Sequence, residues 1–475
     1  MLRVESRSYT RYMQSKIIFY GGAGSVTGSN FLLDTGEKKI LIDCGLFQGK
    51  HSFEDSNWDA FQFNPADISV LINTHAHIDH IGRIPKLVHD GFRGKIISTE
   101  ATKALAEPLL FDAMDLSART AEHVGKDPLY SEADIAQAMS QWEAVPYHQK
   151  VDLGDGVSVE LYDAGHILGS AIAVFRREDA GQVRTVAFTG DLGGGNSPLL
   201  PPVEIPAGAN YVVMESVYGD RTREDDSHRR DQLEKIINET ASKGGTVLIP
   251  AFSTERTQDI LFEIRSLVLE KKIPTMPVYI DSPLAEKITA AYLAHPQYFS
   301  EEIQARIKGG EHIFSFPNLH FVHDVRESQK VRQERGAKIL IAGSGMSNGG
   351  RVVAHEREIL SDEQSTLLIV GYQAAGSLGR KLVDGAKKVD IKGETVAVRC
   401  RIETMYSYSA HMDGEQLLDF VNQVAGASTE ASPLREVFVV MGEPVASGFL
   451  VQRIRDYLAI RATAPEQHES AVIEF

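Results

Sequence analysis

The chain has 475 residues, 43% hydrophobic and 24% charged, with a formal net charge of −16 at pH 7. That length exceeds what a single hydrophobic core organises and sets an expectation of two or three globular domains; no apolar run approaches the length of a membrane helix. The acidic balance excludes a protein that grips nucleic acid through a broad basic surface alone, while leaving room for a narrow basic groove on an acidic body.

The opening stretch MLRVESRSYTRYMQS lacks the apolar segment of a secretory signal and reads as a short extension, residues 1–15, of a cytoplasmic protein. Cys44 and Cys400 both sit in apolar or strand-like surroundings and are expected as free buried thiols, with no disulfide framework. From Lys16 to about Met214, short apolar strands end in Gly, Asp and His: Ile17–Tyr20, Ile40–Asp43, Val70–Asn73, Val157–Tyr162 and Val186–Thr189. Helices are expected between them over Ala101–Ala118 and Glu132–Glu143.

The rhythm then changes. Helical runs at His228–Ser242, Thr254–Glu270 and Arg351–Leu360 alternate with strands at Thr246–Ile249, Pro277–Ile280, Lys338–Ile341 and Thr366–Val370, and alternation of this kind implies a parallel sheet. Strand-like Val396–Val398 and Ile402–Tyr406 follow, then a helix near Gly414–Val424, a strand at Glu436–Val440 and a helix after Pro444. The reading is an α/β chain in which a domain made of 16–215 and 388–475 is interrupted by an inserted domain, 216–387. No internal repeat, low-complexity tract or heptad run is evident.

The most informative stretch directly follows the strand at Val70: His75, His77, Asp79 and His80 fall within six residues. Imidazole and carboxylate suit zinc or a related first-row ion. In an extended segment His75 and His77 share a face, and the turn after them swings Asp79 and His80 toward a second position. His166, in Asp163–Ser170, and Asp191, in Phe188–Gly193, are further candidates, each in a glycine-containing loop at a strand end that permits close backbone approach to an ion. Asp43, closing its own strand, is placed as a carboxylate that orients a histidine ligand.

The order of these pieces, with the long insertion after them, resembles the metallo-β-lactamase superfamily and its β-CASP nucleases, over about Lys16 to Ile460. That branch includes the endonuclease of eukaryotic pre-mRNA 3′ processing and its bacterial and archaeal relatives. The resemblance implies a metallo-β-lactamase αββα sandwich with an inserted β-CASP parallel α/β domain. It also implies two divalent ions, zinc above others, one held by His75, His77, His166 and Asp191 and the second by Asp79, His80 and the bridging Asp191. A hydroxide between them is then the nucleophile, since paired cations lower the pKa of bound water and neutralise charge developing on a phosphate.

Glu215, in Met214–Asp220, resembles the first β-CASP motif, and His411, in Tyr408–Asp413, the second; a carboxylate that fixes a histidine's tautomer and raises its pKa suits a general acid. The third motif usually places a histidine before Gly-Glu-Pro, where this sequence has Met441. A thioether is a poor zinc ligand, so the second ion is expected to be held less tightly. Within the insertion, Gly343–Arg351 follows a strand and opens a helix, exposing backbone N–H groups toward an anion, with Ser344, Gly345, Ser347, Gly350 and Arg351 as contacts. Gly376–Lys381, with Ser377 and Arg380, is a second such turn, and Pro250–Arg256 also fits the inserted domain's pattern.

The expectation is therefore a metal-dependent ribonuclease, endonucleolytic with exonucleolytic action open, acting on single-stranded RNA to leave 5′-phosphate and 3′-hydroxyl ends. No membrane partner is expected, and a homodimer is one assembly open to it. Three alternatives stand beside it: a DNA-acting β-CASP nuclease, on the strength of Met441; a small-molecule hydrolase of lactams or thioesters; and a non-catalytic RNA-binding subunit.

Overall fold

The computed structural model describes residues 14–475 apart from 50–53, 180–181, 196, 223–227, 372, 374–375 and 430–431. The expected extension, 1–15, lies outside the described residues except for Gln14 and Ser15. These two belong to the strand Gln14–Gly21, because the C-terminal strand Ser470–Glu474 pairs antiparallel along Gln14–Ile18 and the Ser15 hydroxyl donates to the Phe475 carbonyl at 2.9 Å.

Two seven-stranded sheets stand face to face. In the first the spatial order is Ser470–Glu474, Gln14–Gly21, Asn30–Asp34, Lys39–Ile42, Val70–Ile72, Lys95–Ser98 and Trp142–Ala144. In the second it is Arg461–Thr463, Glu436–Val439, Tyr211–Met214, Gln182–Phe188, Ala171–Asp179, Val157–Asp163 and Val151–Gly154. The period of two that strands impose on side chains assigns the layers. Ala171, Ala173 and Phe175 join Ile17, Phe19, Leu33 and Ile72 in the apolar layer between the sheets. Their neighbours Ile172 and Val174 pack outward against Leu417, Phe420, Val421 and Leu450 of the helices Gly414–Gly426 and Pro444–Leu458. On the opposite outer face Leu32, Leu41, Leu71 and Ile96 pack with Ala101, Leu105 and Leu110 of the helix Glu100–Val124. Helix, sheet, sheet, helix is the expected αββα sandwich.

The third sheet is six-stranded and wholly parallel, in the order Leu319–Phe321, Val278–Asp281, Lys338–Ala342, Thr246–Pro250, Thr366–Ile369 and Arg401–Thr404. Its last strand departs from expectation. Arg401–Thr404 was expected beyond a boundary at 387, in the resumed first domain, but pairs with Thr366–Ile369 as an edge of the inserted sheet. The hairpin Lys388–Ile391 with Glu394–Ala397 stays with it, since Val389, Ile391 and Val396 are buried with Leu367 and Ile369. Among the described residues, no helix is long and apolar enough to cross a membrane.

This architecture gathers the polar residues at one end. Asp43 follows Lys39–Ile42, His75 to His80 follow Val70–Ile72, His166 follows Val157–Asp163, Asp191 follows Gln182–Phe188 and Glu215 follows Tyr211–Met214. All lie beyond carboxyl ends of strands, where loops are free to carry chemistry on a rigid frame.

Candidate metal centre

His75, His77, His166 and Asp191 each present a ligand atom, and these atoms all lie within 4.8 Å of one another. His77 Nδ1 is 3.1 Å from both His75 Nε2 and His166 Nε2, and Asp191 Oδ2 is 3.5 Å from each of those Nε2 atoms. Ring nitrogens converging on one point cannot all be satisfied by shared protons, since a neutral imidazole has one donor and one acceptor. Burial, chiefly, together with the charge of neighbouring imidazoles, holds His77 and His166 well below the usual histidine range, so both offer lone pairs there. Three imidazoles and a carboxylate are the donor set of a zinc-sized cation.

The other half of the cluster is arranged around Asp191 Oδ1. His80 Nε2 lies 3.3 Å from it and 4.0 Å from Asp79 Oδ2. Asp191 Oδ1 and His80 Nε2 are both buried and without a hydrogen-bond partner. Orphaned buried polar atoms of this kind are costly unless something charged completes them, so the residues fit a second cation bridged to the first by Asp191. Burial raises the Asp79 carboxyl, with His80 opposing, and a cation beside it would supply the missing compensation.

Asp43 fixes the far side of His80. With φ of +58° and 1% exposure, it accepts from His80 Nδ1 at 2.7 Å, Thr74 Oγ1 at 2.9 Å and Ser29 Oγ at 3.2 Å on one oxygen, and from the Thr74 N–H at 2.8 Å and Asn73 Nδ2 at 3.0 Å on the other. This sets the tautomer that leaves Nε2 to a metal. Thr74, Asn73 and Ser29 were not singled out from sequence; for Asn73 and Thr74 the signal available was their placement beside the histidine motif, and Ser29 carried none. Gly45 is required by packing: a Cβ there would stand 1.5 Å from the Asp79 carbonyl oxygen.

His411 reaches the cluster from the chain's other end. Gly194 N–H donates to the Ala410 carbonyl and Met412 N–H to the Leu192 carbonyl, so the loop after Asp191 pairs with the loop carrying His411. The His411 ring centroid lies 4.7 Å from that of His166, and its Nδ1 is 3.1 Å from Glu215 Oε1. Glu215 is fully buried and is held by the Leu192 N–H at 2.6 Å and the Val217 N–H at 3.3 Å. Burial pulls the His411 imidazolium down, but the Glu215 carboxylate beside it, aided by Asp191 and Asp79, outweighs this and pushes it up to about 9. Tyr218 sets its ring edge against His411, centroids 5.8 Å apart, a neighbour that sequence reasoning did not identify.

Met441 stands elsewhere in character. It is 2% exposed, belongs to the apolar layer between the sheets and has φ of +48°. A Cβ on Gly22 would come within 2.5 Å of its sulfur, so the thioether packs on backbone.

The expected anion-binding turns are less open than their sequences suggest. Arg351 Nη1 pairs with the buried Asp281 at 2.6 Å and the guanidinium also donates to the carbonyls of Val322 and His323. Ser347 donates to buried Glu356, Ser344 Oγ donates to the Gly349 carbonyl, Ser377 caps its helix through the Arg380 N–H, and Arg380 pairs with Asp384. Gly345 gives its carbonyl to Gln373 Nε2 at 2.9 Å, and Gly350, at φ of +73°, turns the chain against Gly343.

Known families and relatives match this arrangement. The metallo-beta-lactamase superfamily model matches residues 23–250, a Beta-Casp domain residues 257–382 and a Zn-dependent metallo-hydrolase RNA specificity domain residues 395–465. Ribonuclease TTHA0252 of Thermus thermophilus is 36% identical over 406 residues, covering 86% of this chain and 90% of that protein. The chain belongs to the metallo-β-lactamase superfamily, in its Beta-Casp branch. Transcription termination factor FttA of Methanocaldococcus jannaschii is 31% identical over 90% of this chain and 67% of its own length, and that of Pyrococcus horikoshii 30% identical over 95% and 70%. A crystal structure of a protein of unknown function from Enterococcus faecalis V583 superposes with a TM-score of 0.53 at 12% identity, covering 97% of this chain and all of that one, a likeness of fold alone. As a superfamily member with these side chains gathered, the chain is a metal-dependent hydrolase.

Proposed function

We propose that this chain is a metal-dependent ribonuclease that hydrolyses phosphodiester bonds of single-stranded RNA, leaving 5′-phosphate and 3′-hydroxyl ends. The observation that carries the reading is the Glu215–His411 pair, at 3.1 Å, standing against the histidine and aspartate cluster. A carboxylate-oriented histidine at that place is suited to protonate the alkoxide that leaves in phosphodiester hydrolysis. The RNA specificity match at 395–465 and relatives named as a ribonuclease and a transcription termination factor point the same way.

In this reading His75, His77, His166 and Asp191 hold one cation, and Asp79, His80 and Asp191 a second, zinc being the ion their chemistry suits. Two cations there would lower the pKa of a bound water and screen charge on a phosphodiester. Asp43 holds the His80 ring in place. His411, with Nδ1 engaged by Glu215, carries its proton on Nε2 and delivers it to the departing 3′ oxygen. Met441, packed into the core, leaves the second ion with one protein ligand fewer than a histidine there would give, so that ion exchanges more readily.

We place the division between the two domains near 215 on the way in and after Thr404 on the way out, since the inserted sheet ends with Arg401–Thr404. A cytoplasmic location and a homodimer complete the proposal. Cleavage of end-labelled single-stranded RNA by wild type, Asp79→Ala and His411→Ala tests it: both variants should lose cleavage by at least about 100-fold, the scale of a removed acid. Undiminished cutting by either folded variant would remove the mechanism. Equal DNA and RNA oligomers competing in one reaction separate the DNA-acting reading, which would show as preferential loss of DNA.

A further inference from the structure

At the carboxyl ends of the inserted parallel strands, where such sheets place their ligands, an aromatic side chain is exposed among the described residues. Phe252, in the loop after Thr246–Pro250, is 43% exposed, although Ala251, Thr254 and Glu255 around it are almost completely buried. The loop backbone is tied to the helix that follows it. The Phe252 carbonyl accepts from Thr257 Oγ1 at 2.7 Å and the Ser253 carbonyl from Gln258 Nε2 at 3.1 Å. The ring is backed by Gly345: a Cβ at that position would lie 2.8 Å from Cδ2 and 2.9 Å from Cε2 of the ring, so the glycine lets backbone support the aromatic.

The loop heads the helix Arg256–Leu269, which is bound to both catalytic loops. Asp259 in its first turn accepts from Ser197 Oγ at 2.9 Å, on the loop that carries Asp191. Glu263 accepts from Arg229 and from the Tyr408 hydroxyl, on the loop that carries His411. The Glu255 carboxyl lies within range of the His411 charge. Among the described residues the other exposed aromatics, Phe449 and Tyr457, lie on the outer helix Pro444–Leu458 and are covered in part by Arg453, whose guanidinium carbon is 5.9 and 5.6 Å from their ring centroids.

We infer that Phe252 is a stacking platform for one nucleobase of the RNA strand at the metal centre, a positioning role resting on the ribonuclease reading above. An aromatic face held in place stacks any base, which suits single-strand recognition without a strong sequence requirement. A fixed ring loses little freedom when the base arrives, so the stacking free energy is realised in binding.

The test reads binding and cutting separately. Binding is measured by fluorescence anisotropy with metal-loaded protein and a phosphorothioate single-stranded RNA that resists hydrolysis, in a series with one abasic position each. In wild type, removing the base at one position should weaken binding about 5- to 100-fold, the range of a single base–aromatic stack. Phe252→Ala and Phe252→Leu should show the same loss with the intact RNA and no further loss with that abasic RNA, while Phe252→Trp retains both affinity and abasic sensitivity. Unchanged binding by the Ala and Leu variants would overturn the assignment. So would losses that multiply at every abasic position, since they would mean that the ring acts through packing. Cleavage of unmodified RNA by wild type tests the underlying reading. A protein that shows the stacking coupling and cuts nothing upholds the platform and sinks the nuclease; one that cuts without any coupled position does the reverse; one that neither binds nor cuts overturns both.

Discussion

Replacing Asp43 with asparagine changes one atom's chemistry and is expected to disable the proposed second ion's site. The carboxylate takes five donors: His80 Nδ1, Thr74 Oγ1 and Ser29 Oγ on Oδ2, and the Thr74 N–H and Asn73 Nδ2 on Oδ1. An asparagine amide must turn its NH2 one way or the other. Facing Thr74 N–H and Asn73, it leaves two buried donors opposed, at about 1–3 kcal/mol each. Facing His80, it allows the hydroxyls to reverse but forces Nδ1 to accept, which puts the proton on Nε2, the atom 3.3 Å from Asp191 Oδ1 that a cation needs. Either arrangement should weaken metal binding by about 10- to 100-fold, the usual effect of losing such an orienting carboxylate. Zinc content after dialysis against buffered free zinc, with thermal unfolding of the same samples, measures both costs. An Asp43→Asn protein that retains wild-type zinc affinity and melting temperature would refute the reasoning.

Further expectations concern other parts of the molecule. Burial pushes the Glu356 carboxyl up to about 8 against the Ser347 hydrogen bond, so the folded state favours its protonated form. The sign follows: this contribution is fully present below the ordinary carboxyl pKa and is lost as pH rises toward 8. Urea unfolding should therefore show wild type losing up to about 3 kcal/mol between pH 6 and pH 8.5, at about 1.4 kcal/mol per unit, relative to Glu356→Gln; parallel curves for the two proteins would contradict it. Gly45→Ala, whose new Cβ would meet the Asp79 carbonyl at 1.5 Å, should lower the melting temperature and zinc content together, and a stable, zinc-replete variant would count against the close turn. Chelation should destabilise wild type more than His77→Ala, since a ligand bound only to the folded state stabilises it by mass action; equal shifts would remove His77 from the ligand set.

Much of the centre was legible because it is local. His75, His77, Asp79 and His80 occupy one turn after one strand, and their chemistry is readable without a fold. Asp43 was placed by the same logic, a carboxylate where a strand ends. Glu215 and His411 are a different case, 196 positions apart and brought into contact where the loop after Asp191 pairs with the loop carrying His411. Family resemblance, and not periodicity, put them together. Arg351 shows what loop sequence conceals: a cation beside glycines suggests an anion site, yet its partner, Asp281, is 70 positions away at the end of another strand. The sheet membership of the strand after 387 was hidden for a similar reason. The charged hairpin 388–397 interrupts the alternation of strand and helix, and the returning strand Arg401–Thr404 is recognisable as part of the inserted sheet only from its hydrogen bonds to Thr366–Ile369.

The central claim is that side chains from distant parts of the chain hold cations that cut RNA. It is tested most directly by measuring metal content and RNA cleavage on one preparation, before chelation, after it, and after zinc is returned. Bound metal with cleavage that disappears on chelation and reappears with zinc is the expected result. Cleavage that persists in metal-free protein, or a protein that takes up no zinc at all, would contradict the account.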